Sequence, residues 1–323
     1  MLRTSLCGLL GIDVPIIGAP FGPWDQVELA AAISEAGGLG SVGAALRPVP
    51  EMRAQWARLR ELTARPFAIN HTSRPFGAEA FEATLAFGPP AISFHLAVPG
   101  ELIARAHDRG ILWIQQVVDR RQAQEAVAAG ADVIIAQGGE AGGHAGSVAT
   151  MVLVPQAVDV AGDVPVVAAG GIADGRGLAA ALALGAQGVS MGTRFLASAE
   201  LGIADEWKRR IIEADALDAV KVANSERVLP PYTLPGARVE PRALSTALIA
   251  QLREHPEWID PAVIGPRIRD AVLAGRGDQY LPFAGQSAGL IDEVLPAAEI
   301  VARVVAEAEA ILSAYRGRVD PSR

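Results

Sequence analysis

The chain has 323 residues, enough for one large α/β barrel with an insertion or for two domains, and enough to bury a full core. Half of its residues are apolar, 20% are charged and 5% are aromatic, which excludes a disordered chain and favours packing by small aliphatic side chains. The net charge of −8 argues against broad attraction to nucleic acid or to a membrane surface, so any phosphate group must be held locally.

At the N-terminus a lone basic residue, Arg3, precedes a short apolar run that ends at Asp13 without a cleavage-site pattern, so no secretory leader is expected. Cys7, the one cysteine, has no internal partner and fits a reducing, cytoplasmic setting; its apolar neighbours make it a packing residue. The stretch 141–158 lacks charges, but its glycines, His144, Pro155 and Gln156 make it unlike a membrane span.

Eight short apolar runs read as buried parallel strands: 14–19, 38–43, 66–70, 90–94, 111–117, 132–136, 164–169 and 187–191. Between them, segments with helical spacing such as Gln26 to Ala36, Glu51 to Leu62, Ala78 to Leu85, Gly100 to Asp108 and Arg120 to Ala129 close at a glycine or proline. This alternation predicts a (β/α)8 TIM barrel, within the α/β class, over an open doubly wound sheet. Gly38-Leu39-Gly40-Ser41-Val42-Gly43 matches the dinucleotide-binding spacing, but a helix precedes it where a strand is required, so its glycines are assigned to the second strand.

The pattern breaks after Glu200. From about Leu201 to Gln279, with Pro230-Pro231, Pro235-Gly236 and Pro256, the sequence is helical and loop-like and shows no strong strand run. The expectation is a barrel built from residues 1–200 and 281–323, a helical cap over residues 201–280, and a last helix from about Pro296 to Tyr315 completing the ring.

Barrel active sites gather at the C-terminal ends of the strands, so the strand-to-loop junctions are where chemistry is expected. After the first strand, Gly18-Ala19-Pro20-Phe21-Gly22-Pro23 offers backbone to the face of a flat ring; after the third, Asn70 suits the edge of a heterocycle or a loop cap. After the sixth, Gln137 to Gly146 holds five glycines around His144, a pattern that lets backbone approach a planar ligand with an imidazole set over it as base or hydrogen-bond donor. After the seventh and eighth, Gly170-Gly171 and Gly192-Thr193-Arg194 lie where these barrels bind phosphate; for Arg194 a structural ion pair competes with a phosphate contact. For His71 and His95 pocket-facing and packing roles both stand open, while His107 and His255 read as surface residues. The 34 glycines, against roughly 23 at average usage, agree with many turns or close approaches.

Together, Gly18-Ala19-Pro20, Ala36 to Gly40, Gln137 to Gly146, Ala169 to Gly175, Gly192 to Phe195 and Gly285-Gln286-Ser287-Ala288-Gly289-Leu290 resemble the nitronate monooxygenase family, formerly called 2-nitropropane dioxygenases. The resemblance implies an FMN-dependent barrel that oxidises alkyl nitronates with O2 to a carbonyl compound and nitrite. It implies that Ala19, Pro20 and Phe21 border the isoalloxazine and that Asn70, Gln116 and Gln137 lie at its edge. Gly142 and Gly143 would pass beside the ring, Gly170, Gly171, Gly192 and Thr193 would hold the phosphate, and Gln286 and Ser287 would return to the cofactor, with His144 as catalytic base or hydrogen-bond donor. Phe21 stands where many relatives have methionine, and Gln115-Gln116 stand where relatives often place lysine.

The same pattern is similar to flavin-dependent enoyl-acyl-carrier-protein reductases, which would use NAD(P)H on a thioester-linked double bond. A flavin-free phosphate-binding barrel acting as isomerase or lyase, and a barrel-derived binding protein, are further alternatives. No metal site is expected, since no H-E-x-x-H pair or paired-cysteine spacing occurs.

Overall fold

A run whose alternate side chains must all leave water is satisfied only between two packed layers, and eight such runs become strands. The computed structural model describes residues 2–22, 24–45, 47–73, 76–229 and 239–318. Its barrel strands are β1 (Ile16–Gly18), β2 (Gly40–Gly43), β3 (Phe67–Thr72), β4 (Ala91–His95), β5 (Leu112–Val117), β6 (Val133–Gln137) and, after the outlying β7 (Gly143–Ala145), β8 (Val166–Ala169) and β9 (Gly188–Met191). They pair in parallel in the order β1-β9-β8-β6-β5-β4-β3-β2. A parallel bridge between Ile17 and Leu39, with Gly18 N donating to Leu39 O at 2.9 Å, joins β1 to β2 and closes the ring. The fold is the (β/α)8 barrel that the alternation predicts.

The surrounding helices are α2 (Val27–Glu35), α3 (Val49–Leu62), α4 (Ala78–Phe87), α5 (Gly100–His107), α6 (Arg120–Ala128), α7 (Thr150–Ala161) and α8 (Gly175–Ala183), preceded by α1 (Ser5–Leu10). Helix α4 stops at Gly88, whose φ of 67° is a left-handed conformation that costs a glycine little. The glycines at 38–43 belong to β2 and its approach, as expected: a Cβ on Gly40 would lie 2.0 Å from Ala30 O, so glycine lets the strand press against α2. Helix α1 packs Leu6, Cys7 and Leu10 against Ile17, Ala68, Ile114, Val133 and Val167 and plugs the N-terminal end of the barrel. Burying each of the two leucines contributes about 1.5–3 kcal/mol. Cys7 is a buried packing residue there.

Beyond β9 the chain forms α9 (Thr193–Leu196), α10 (Asp205–Ile212), β10 (Ala219–Lys221), β11 (Glu240–Leu244), α11 (Ala247–Glu254) and α12 (Pro261–Leu273). The two strands correct the expectation that this stretch holds none. Each is short, β11 contains Pro241, and their pairing comes from outside the stretch. β10 runs antiparallel to β11, and β11 runs antiparallel to β7, inside the glycine-rich segment that reads as a loop. Helix α13 (Ala297–Arg318) returns to the ring between α8 and α2. At Gly175 a Cβ would sit 2.5 Å from Ala308 N, so only glycine permits α8 and α13 to approach this closely. Pro23, Pro230, Pro231, Pro235 and Gly236 lie outside the described residues.

Candidate functional site

The C-terminal ends of the barrel strands open into a cavity of about 780 Å³. One wall comes from the strand ends: Ala19, Pro20 and Phe21 after β1, Asn70, Thr72 and Ser73 at β3, His95 and Leu96 at β4, Gln116 on β5 and Gln137 on β6. Gly142, Gly143 and His144 continue it through β7, followed by Gly170 and Gly171 after β8 and by Gly192 and Thr193 after β9. The facing wall is mostly apolar, with Val228, Leu229, Ile268, Val272, Leu273 and Phe283; Arg269 is its charged residue.

Most residues singled out from sequence meet here, His144 among them. Gln286 does not: its backbone N–H donates to Glu140 O at 2.9 Å, and the neighbouring Ser287 is the one on the wall. Among the described residues Arg194 forms no ion pair. Its Nη2 donates to the carbonyls of Ala197 and Glu293, at 3.0 and 2.6 Å, tying α9 to the segment that precedes α13. Thr193 Oγ1 accepts from Gly285 N at 2.9 Å, so part of its hydrogen-bonding capacity serves the backbone. Gln115 is buried and structural, donating to Phe94 O and Ala97 O, whereas Gln116 lines the cavity.

The turn after β1 is held by Gln26, which accepts from Phe21 N at 3.0 Å and donates to Phe21 O at 2.8 Å. Asn70 is anchored by its Nδ2, which donates to Ser93 Oγ at 2.9 Å. Leu96, next to His95, has a φ of 80°, a strained conformation for a branched residue that costs of order 1–3 kcal/mol. That cost is tolerated at a cavity wall where Leu96 packs on Val118 and Val239.

The glycines of the 137–146 segment act differently from the expectation that they clear space for a ligand. A Cβ on Gly138 would lie 2.0 Å from Thr150 Oγ1, one on Gly142 2.6 Å from the Ala284 carbonyl carbon, and one on Gly146 2.8 Å from Val118 Cβ. These three are glycine because the protein packs on itself. Gly143, at φ 65° with nothing near its Cβ position, is the open one beside His144. Glu140 fixes the segment further, its carboxylate accepting from Thr150 N and Oγ1.

His144 sits on β7 opposite Pro241 of β11, with the Phe283 ring 6.0 Å away at 50°. Burial, reinforced by His95 and the Lys221 ammonium, pushes its pKa down to about 3. Burial alone lowers His95 to about 4. Both imidazoles are therefore neutral near pH 7. His71 proves to be a packing residue, its Nε2 2.9 Å from Thr84 Oγ1 and its ring edge-on to Phe81, and burial lowers it to about 4. His107 pairs with Asp132 and His255 stacks on Trp258, both at the surface.

Among the described residues, the buried cavity-wall atoms Ser73 Oγ, His95 Nε2 and Gln137 Oε1 have no hydrogen-bond partner. A buried polar atom left in this state costs about 1–3 kcal/mol, so these atoms mark where a ligand's polar groups belong. Gly170 and Gly171, at φ 101° and 73°, turn backbone towards the same cavity. Amide side chains at the ends of β3, β5 and β6, with glycine backbone after β8 and β9, fit a flat heterocycle carrying a phosphate. Sequence reasoning missed Phe283, Ile268 and Val272, because a wall supplied by a distant helix leaves no local motif. It also missed Gln26 and Ser73, which carry no spacing signature.

The nitronate monooxygenase family model matches residues 3–75 and 75–307. The chain is 40% identical over 242 residues to the (3aS,4S,5R,7aS)-5-hydroxy-7a-methyl-1-oxo-octahydro-1H-indene-4-carboxyl-CoA dehydrogenase of Mycobacterium tuberculosis, covering 74% of this chain and 68% of that protein. It is 32% identical over 365 aligned positions to a probable nitronate monooxygenase of Staphylococcus saprophyticus, covering 97% and 99%. Among solved structures, FabK from Thermotoga maritima superposes with a TM-score of 0.89 at 34% identity, covering 99% of this chain and all of that one.

Proposed function

This chain belongs to the nitronate monooxygenase family and is an oxidoreductase, and from that premise we propose that it binds FMN and oxidises alkyl nitronates with O2 to a carbonyl compound and nitrite. The observation that carries the reading is His144, neutral near pH 7, on a cavity wall that it shares with the glycine backbone after β8 and β9. FMN, when bound, supplies the redox chemistry. Asn70, Gln116 and Gln137 would meet the edge of its ring system, Ala19, Pro20 and Phe21 its face, and Gly170, Gly171, Gly192 and Thr193 its phosphate.

The low pKa of His144 favours hydrogen bonding over proton abstraction as its role. An imidazole that holds its proton only below about pH 3 is poorly matched to taking a proton from a neutral nitroalkane at pH 7. A nitronate already lacks that proton. His144 instead orients the anion by a hydrogen bond, and the negative charge of a bound nitronate raises the imidazole's proton affinity. The apolar facing wall of Ile268, Val272 and Phe283 excludes water around the alkyl part of the substrate.

The test is the visible spectrum of the purified protein followed by oxygen uptake and nitrite release with small nitronates. A flavin spectrum with nitronate-dependent uptake is expected; a colourless protein, or a yellow one that leaves nitronates untouched, contradicts the reading. A second reading is favoured by the apolar wall together with a 40% identical relative named for a CoA thioester substrate. There the same cavity serves redox chemistry on a thioester-linked carbon skeleton, as in an NAD(P)H-dependent enoyl-thioester reductase. Anaerobic bleaching separates the two: nitronate bleaches the flavin on the first reading and NADH on the second. In both, residues 201–280 form a cap that supplies most of the apolar wall.

A further inference from the structure

Lys221 and Arg242 are directly paired across β10 and β11, two cations side by side. Like charges in directly opposed cross-strand positions repel, so the pair must be held by strong acceptors. The Lys221 ammonium has three N–H donors, and all three end on main-chain carbonyls: Ala145 O, Gly146 O and Glu240 O, each at 3.0 Å. Arg242 donates from Nη2 and Nε to Gly139 O, at 2.9 and 3.2 Å, and also to Ala219 O. One cation thus grips the segment where it enters the cavity wall, and the other grips it just after His144. We propose that Lys221 is the positioning residue of His144, locking β7 to β11 so that the imidazole is fixed over the cavity before substrate arrives.

The proposal rests on the reading of His144 as a residue that touches substrate, but the clamp itself is independent of the reaction. Saturation of all three donors leaves Lys221 unsuited to bind substrate or transfer a proton. A neutral amine has only two N–H bonds and points a lone pair at one of the carbonyls, so loss of the proton removes one bond and turns another contact repulsive. Burial, with the Arg242 charge, lowers Lys221 to about 8, while the charges of Glu240 and Glu140 pull the other way and His144 facing it is neutral. The clamp therefore loosens as the solution rises through pH 8.

The experiment compares wild type with Lys221→Met and Lys221→Arg, both holoproteins, by amide hydrogen exchange over 139–146 and by the pH profile of nitronate oxidation. In Lys221→Met, protection over 143–146 is expected to fall at least tenfold and kcat to drop at least tenfold with KM changed little. Lys221→Arg, which stays charged, should restore protection and shift the alkaline fall in kcat/KM above pH 9. Wild-type protection over 143–146 should itself weaken between pH 7 and 9, which keeps the idea falsifiable if Lys221→Met does not fold. Unchanged protection and an unchanged alkaline limb in Lys221→Met, or pH-independent wild-type protection, would overturn it. If wild type oxidises no nitronate at all, the functional reading fails while the exchange data still decide the clamp.

Discussion

His71, His95 and His144 are held neutral by burial, at about 4, about 4 and about 3 against 6.5 for an exposed imidazole. Between these values and pH 6.5 the unfolded chain binds protons at these three positions and the folded chain does not. Unfolding then takes up protons, so their contribution to stability is intact above pH 6.5 and is lost as the pH falls towards 4. Each such proton lowers stability by about 1.4 kcal/mol per pH unit. The melting temperature is expected to fall from pH 7 to pH 5, and His71→Gln, at a position that packs on Thr84 and Phe81 and does not line the cavity, should make that fall shallower. A melting temperature that is flat over this range would contradict the burial described here. At this scale, sequence placed Asn70, Gln116 and the strand-end glycines on the wall because each lies at or near a strand end, and His144 because it lies in the glycine-rich segment that follows β6. The bonds of Arg194 to Glu293 O and of the Gln286 N–H to Glu140 O were not legible, because each partner is a backbone carbonyl about a hundred residues or more away in the chain.

Among the elements, the ribbon of β7, β11 and β10 was the least legible. A three-residue strand such as Gly143–Ala145 has no apolar alternation of its own and exists because Glu240–Arg242 pairs with it across nearly a hundred residues of chain. The same distance effect explains the glycines. Their number pointed correctly to close approaches, but sequence alone assigned the approaches to a ligand, whereas Gly138, Gly142 and Gly146 are pressed against Thr150, Ala284 and Val118. Gly142→Ala would drive a methyl to 2.6 Å from rigid backbone at Ala284. Overpacking of this kind costs about 1–3 kcal/mol. The variant should melt several degrees lower and bind flavin more weakly, while Gly143→Ala, with open space but φ 65°, should strain the backbone without a clash. Thermal melts and flavin release during dialysis of the two variants check this; equal behaviour would contradict it.

At the level of the whole molecule, the barrel was readable because its signal is repetitive. Eight buried strands alternating with helices have few topologies open to them, and right-handed crossovers leave one ring. What repetition does not reveal is the lid side of the site, where α12 and the segment around Phe283 arrive after a long excursion and supply the apolar wall. It also does not reveal α1 as the plug of the far end, since six residues are too few to show helical periodicity. The architecture therefore keeps stability at the N-terminal end of the strands and chemistry at the other.

The account turns on an imidazole that meets the substrate inside a flavin-bearing cavity. The most direct measurement is anaerobic mixing of nitronate with flavin-loaded wild type and with His144→Ala, followed by absorbance. Wild type is expected to bleach rapidly, and His144→Ala to retain its flavin but bleach at least about a hundredfold more slowly, in line with the loss of one hydrogen-bonding group aimed at the reacting centre. Equal bleaching rates in the two proteins would contradict the assignment.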